Sequence, residues 1–267
     1  MNESLKRLLS GTVYVALLLI AISYSVTSFQ IIFGVFLFIA IYEFCKLIHL
    51  NYVLPLFIGT SIYSLGVYYK MNQVSNLLLL VFTLIVSIKC LHFLFFSNKT
   101  QIDTFSKYLF LLGYIIFPFL IITKIPLGKY GYNPKIMISI FILIWTNDTF
   151  AYIVGKSLGK NKLYEKISPK KTIEGFLGGL VFSILASLIV SKFFIQGSLF
   201  IWLIIAIIIS FIGTIGDLIE SKFKRIAGVK DSGTIMPGHG GILDRLDSII
   251  FVIPFVYLFY QILYYVS

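Results

Sequence analysis

The chain has 267 residues, of which 58% are hydrophobic and 12% charged. Soluble domains carry about 25% charged residues, so this composition excludes a water-soluble globule and points to a chain solvated by lipid. The 22 Lys and Arg outnumber 11 acids, for a net charge of +11, and they sit in short stretches between apolar runs. That placement fits anionic lipid head groups and phosphorylated substrates and argues against nucleic acid as a partner.

A membrane-crossing helix needs about 20 mostly apolar residues. Nine stretches qualify, at 11–28, 29–48, 53–69, 74–95, 106–123, 135–155, 174–194, 198–217 and 248–266. They predict an all-α, polytopic membrane protein of about nine transmembrane helices. Lys6 and Arg7 precede the first run as they would in a signal peptide. The run is of spanning length and lacks a small-residue cleavage site, so an uncleaved first span is expected. Cys45 and Cys90 lie inside apolar runs without metal-ligand spacing and read as thiols buried in lipid. Tyr68 and Tyr69 read as interfacial anchors of the third span. Pro118 is expected to kink the fifth span, its lost hydrogen bond repaired by neighbouring helices. Residues 1–130 read as N-terminal transmembrane helices and 131–267 as a C-terminal catalytic region.

Basic residues orient the spans. With the N-terminus in the cytoplasm and strict alternation, 17 of the 22 Lys and Arg fall on the cytoplasmic side. The other 5, Lys70, Lys124, Lys129, Lys135 and Lys192, fall outside. This predicts a multi-pass protein of the cell (inner) membrane with its C-terminus non-cytoplasmic. The polar loops 156–173 and 218–247 then share the cytoplasmic face and form a cytoplasm-facing site.

Two constellations carry chemistry. In the first, five of the 11 acids, Asp217, Glu220, Asp231, Asp244 and Asp247, fall within 31 positions, mixed with Lys222, Lys224, Arg225, Lys230 and Arg245. Asp217 closes a long apolar run, where a charge is costly unless it faces protein or water. Asp244 and Asp247 are spaced to share one helix face. Hard oxygen donors in this number suit Mg²⁺, which takes one or two carboxylates and completes its shell from water and phosphate. Asp217, Asp244 and Asp247 are therefore expected to hold the ion. Capping of the last helix by its own acids is the plainer alternative. His239, Gly240 and Gly241 follow Pro237 just before that helix, where backbone N–H groups can approach a phosphate.

The second constellation spans 145–175. Asp148, beside Asn147, is an intramembrane carboxylate and a functional candidate. Gly155 and Gly159 are expected to loosen the exit of the sixth span. Ser168 is expected to cap the seventh helix with Pro169 at its first position. Lys170, Lys171 and Thr172 would make that helix start a phosphate cradle. The GxxxxGK[ST] loop is absent.

Ser221, Lys224-Arg225, Lys230-Asp231, Gly233, Pro237, His239-Gly-Gly241 and Asp244-Arg245-Leu246-Asp247 resemble the signature of the phosphatidate cytidylyltransferases, also called CDP-diacylglycerol synthases. The signature fills 27 residues and departs only in Met236, where Leu, Ile or Phe is expected. Asn147-Asp148, Ala151-Tyr152, Gly155-Lys156, Ser168-Pro-Lys-Lys-Thr172 and Glu174-Gly175 are also similar to the family. The resemblance implies the reaction CTP + phosphatidate → CDP-diacylglycerol + pyrophosphate with Mg²⁺, in an enzyme that is often dimeric. It implies catalytic roles for Asp217, Asp244, Asp247, Lys224, Arg225 and Asp231. It implies substrate binding by Asp148, Ser168, Lys170, Lys171, Thr172, Ser221, Lys230, His239, Gly240, Gly241 and Arg245. A second cation clamping both oxygens of the displacement is compatible with it. The rival readings are a CTP-dependent polyprenol or phytol kinase, which transfers the γ-phosphoryl group, and a transporter, which needs polar groups placed through the bilayer.

Overall fold

The computed structural model describes residues 3–69, 71–97, 101–128 and 131–266, without the side chains of 3–6, 8 and 264–266. Lys70, Lys99, Lys129 and the Lys6 side chain, all counted in the topology reading, lie outside the described residues. Nine helical rods follow one another: α1 Glu3–Tyr24, α2 Val26–Leu47, α3 Val53–Tyr68, α4 Gln73–Phe96, α5 Thr104–Ile122, α6 Pro134–Leu158, α7 Ile173–Ile195, α8 Leu199–Ile226 and α9 Leu243–Val266. Seven are long and apolar enough to cross a membrane; the apolar parts of α1 and α3 are shorter. Two short hairpins, β1 Leu127–Gly128 with β2 Gly131–Tyr132 and β3 Lys162–Tyr164 with β4 Ser168–Thr172, are the only departures from an all-α architecture among the described residues.

Local chemistry sets the helix ends. The first two rods part at Ser25, not at 28/29 as expected. Ser25 accepts from the Ser28 amide and the Ser28 hydroxyl accepts from the Ser25 amide, both at 3.0 Å, a reciprocal capping box that restarts the helix after one residue. Asn72, Asp103 and Asn133 cap α4, α5 and α6 by the same logic. Ahead of Pro118, α5 contains a π-helical turn, Leu111–Ile116, whose slack absorbs the missing proline donor. Cys45 and Cys90 are free and fully buried. They face the interior of the bundle, not lipid.

The largest correction concerns α8. The eighth span was expected to stop at Asp217; the helix runs nine residues further, to Ile226. The charged stretch after Asp217 is amphipathic, and Leu218, Ile219, Lys222 and Phe223 are buried at helical spacing. Phe223 lies among Phe44, Phe93, Phe110 and Tyr114 at centroid distances of 4.9–5.7 Å. Lys222 reaches the carbonyls at the end of α4, donating to Leu94 at 3.2 Å, Ser97 at 2.6 Å and also Phe93. The loop expected at 218–247 is therefore 227–242. The loop expected at 156–173 is the last turn of α6 followed by the β3–β4 hairpin.

Cross-ties gather the polar segments at one end of the bundle. The Ser10 hydroxyl at the start of α1 meets Pro237 and His239. Lys107 in α5 donates to His49 in the α2–α3 turn, and the Tyr164 hydroxyl in β3 donates to Leu94 at the end of α4. At the opposite end the Tyr132 hydroxyl donates to Ile22.

Helices α6 and α7 pack closely through glycines. A Cβ on Gly175 would stand 2.6 Å from the Ala151 carbonyl oxygen and 3.0 Å from the Gly155 Cα. Gly155 and Gly159 thus permit close approach, as small residues do between membrane helices; they do not loosen the exit. Gly175→Ala is expected to lower the thermal midpoint in detergent, because the obstructing atoms are backbone and overpacking costs about 1–3 kcal/mol. Gly128→Ala, with nothing within 4 Å of its Cβ, should leave the midpoint in place. Equal midpoints for the two variants would contradict the tight α6–α7 contact.

Candidate active site

At the polar end a cavity of about 250 Å³ lies between α1, α6, the 227–242 loop and α9. Its walls include Tyr14, Trp145, Asp148, His239, Arg245, Asp247 and Ser248. Asp148 on α6 and Asp247 on α9 line this cavity, and Asp217 stands on α8. Three helices thus each carry a carboxylate at the polar end, where a charge is costly unless a cation, a donor or water meets it. Lys171 of β4 supplies one cation by pairing with Asp217. Asp247 accepts from the Ser248 amide at 2.8 Å, and Asp148 from Asn147 at 3.3 Å.

Asp244 lines the same cavity, but its oxygens are committed to protein donors. Its Oδ1 accepts from Lys224 at 2.7 Å. Its Oδ2 accepts from the Ser232 amide at 2.8 Å, the Ser232 hydroxyl at 2.9 Å and the Gly241 amide at 2.7 Å. Both oxygens are engaged in folding the loop back onto the start of α9. Lys224 in turn lies between Asp244 and the fully buried Glu220. The set named from the sequence, Asp217, Asp244 and Asp247, is therefore divided. Among the described residues no three His, Cys, Asp or Glu side chains form a ready-made metal-ligand set. The donors at this end are hard oxygens, and Mg²⁺ needs only one or two of them when phosphate and water supply the rest. Asp148, Asp217 and Asp247 fit that requirement.

The glycine turn is tighter than an open phosphate loop. Gly238 and Gly240 have φ of +77° and +86°, and Met236 pairs with Gly240 across the turn at 2.9 Å. A Cβ on Gly240 would lie 2.5 Å from Asp244 Oδ2. The Gly241 amide is already committed to Asp244. His239 places Nδ1 2.8 Å from the Ser10 hydroxyl. Burial and the positive charges of Arg245 and Arg7 lower its pKa below the usual imidazole value.

The other residues named from the sequence are distributed around this core. Strand alternation separates Lys170, which is exposed, from Lys171, which reaches Asp217. Ser168 lies in β4 opposite Tyr164 and caps nothing. The cap of α7 is Thr172, which accepts from the Gly175 amide at 3.1 Å. Glu174 binds the Lys160 and Asn161 amides at 3.0 and 3.2 Å and fixes the hairpin to α7. Arg225 donates to Ile167 and Val229, joining hairpin to loop. Lys230 and Asp231 are exposed on the loop. Ser221 is buried with its hydroxyl 3.4 Å from Asp217.

Sequence reading missed α1 and α2 as parts of the site. Tyr14 lines the cavity with its buried hydroxyl unpartnered, and Ser10 and Arg7 adjoin the glycine turn. Glu43 of α2 binds the start of α9. The available signal was Glu43 itself, an acid standing inside an apolar run.

Comparison with known proteins identifies relatives of the chain. Over 116 residues the chain is 57% identical to the phosphatidate cytidylyltransferase of Staphylococcus haemolyticus, 43% of this chain and 44% of that one. The proteins of the same name from Staphylococcus saprophyticus and Staphylococcus aureus are 54% and 52% identical over 116 residues, again 43% of this chain and 44% of theirs. The chain thus aligns with less than half the length of these curated relatives. The profile of the cytidylyltransferase family matches residues 5–263. With nearly its whole length matched, the chain belongs to the cytidylyltransferase family.

Proposed function

We propose that this chain is a phosphatidate cytidylyltransferase, converting CTP and phosphatidate to CDP-diacylglycerol and pyrophosphate with Mg²⁺. The observation that carries the reading is a cavity lined by Asp148, Asp244, Asp247 and Arg245, with the Asp217–Lys171 ion pair as a further acid and base of this end of the membrane bundle. Lipid and nucleotide can meet there. The relatives' name supplies the two substrates.

A phosphate monoester has a second pKa of about 6, so the phosphatidate oxygen is already an ionised nucleophile near pH 7. It attacks the α-phosphorus of CTP; a new P–O bond forms, and the bond to the bridging α–β oxygen breaks. Pyrophosphate leaves with that electron pair, and no general base is required. The protein's task is in-line positioning and charge neutralisation. Asp148, Asp217 and Asp247 would hold Mg²⁺, which supplies Lewis-acid stabilisation of the triphosphate charge when bound. Asp244 is reassigned from metal ligand to anchor of the loop. Arg245 and Lys171 bring positive charge to the phosphates, and the Tyr14 hydroxyl is a free donor in the same cavity. Location in the cell membrane, with this end in the cytoplasm, follows from the charge bias and from the need for CTP. A homodimer remains part of the reading through the family resemblance.

Purified protein given phosphatidate and CTP labelled at the α-phosphorus is expected to move label into lipid, while γ-label leaves as pyrophosphate. Lipid labelled from the γ-position would contradict the reading in favour of a kinase. Transfer of neither label would leave the transporter class. The hairpin gives a second test. Lys171→Gln removes the cation facing Asp217 and is expected to lower kcat/KM for CTP by about tenfold or more, a loss on the order of 1.4 kcal/mol of transition-state stabilisation. Lys170→Gln, on the opposite face, should cost clearly less; equal losses would contradict the separation of the two lysines.

A further inference from the structure

Glu43 is 1% exposed and sits near the end of α2, remote in sequence from every residue of the signature. Its two oxygens have separate tasks. Oε1 accepts from the Ile242 amide at 3.2 Å, and Oε2 from the Leu243 amide at 2.9 Å. These amides are among the donors that the first turn of α9 leaves without a helical partner. The Ser232 hydroxyl lies 3.3 Å from Oε2 and also contacts Asp244. The loop is shaped around this carboxylate: a Cβ on Gly233 or Gly241 would collide with it. Asp244 and Glu43 thus hold the 232–243 segment from both sides, and Asp247 lies about one helical turn beyond Leu243.

We propose that Glu43 is a positioning residue: by binding the Ile242 and Leu243 amides it sets where α9 begins and so aims Arg245 and Asp247 into the cavity. The proposal rests on the cytidylyl-transfer reading of that cavity. It requires two acceptors on one side chain. Gln has the same size, but its amide offers one acceptor and turns an N–H₂ group toward the second backbone N–H. Asp keeps both acceptors and is one methylene shorter. Positioning therefore ranks the variants native, Glu43→Asp, Glu43→Gln, whereas a space-filling role ranks Gln above Asp.

The test compares the three full-length proteins in detergent micelles, with kcat expressed per folded molecule. Misplacing reacting groups by about 1 Å costs on the order of 100-fold, so Glu43→Gln should lose at least about tenfold in kcat. Glu43→Asp should recover part of that loss. Amide exchange should accelerate at 241–243 in Glu43→Gln and stay unchanged in the β3–β4 hairpin. A Glu43→Gln enzyme within about twofold of native, a rate above that of Glu43→Asp, or unchanged exchange at 241–243 would overturn the proposal. If the native protein transfers no nucleotide, the reaction reading fails, and the exchange experiment alone still decides whether Glu43 holds the start of α9.

Discussion

A charge inside a lipid-solvated bundle must be met by an opposite charge, a hydrogen-bond donor or water, and this constraint organises the polar end of the molecule. Lys224 is shared by Glu220 and Asp244. Lys222 is used on the carbonyls at the end of α4. Glu43 meets the open amides of α9, and Glu174 those of the hairpin. Removing one partner of a buried pair leaves an uncompensated charge, which is why such ties are hard to replace singly. They fasten α2, α4, α8 and α9 to one another at the level of the cavity.

Once those ties are made, the carboxylates divide into two groups. Asp244, Glu43 and Glu174 have their oxygens occupied by protein donors. Asp148 and Asp247 line the cavity, and Asp217 is paired with Lys171. The unmet negative charge lies at a cavity also lined by Arg245, His239 and Tyr14. A cation and a polyphosphate satisfy that imbalance together, because each supplies what the other and the protein lack. The fold thus leaves its electrostatic deficit at the place where the substrates are proposed to react.

The helices were legible because an apolar run of spanning length has few alternatives in lipid. Their ends were less so. Charge after Asp217 was read as loop, although Leu218, Ile219, Lys222 and Phe223 recur at helical spacing; the polar residues masked an amphipathic face. Ser168-Pro169 carried a sound local helix-start signal, yet pairing with Tyr164 drew it into a strand and passed the cap to Thr172. The parity that separates Lys170 from Lys171 appears only once that strand is known. The signature residues come together near one end because they are close in sequence. Tyr14, Ser10 and Glu43 join them through contacts some 200 residues apart in the chain, which no local pattern encodes.

The division of the carboxylates is tested most directly by cation binding. Mn²⁺, an oxygen-seeking stand-in for Mg²⁺, can be titrated into the full-length protein with CTP present and followed by electron paramagnetic resonance. The account predicts a bound-Mn²⁺ signal in the native protein, lost in Asp247→Asn and retained in Glu165→Gln, whose side chain is exposed on the hairpin turn. Binding that survives Asp247→Asn with unchanged affinity would contradict the assignment of the cavity carboxylates.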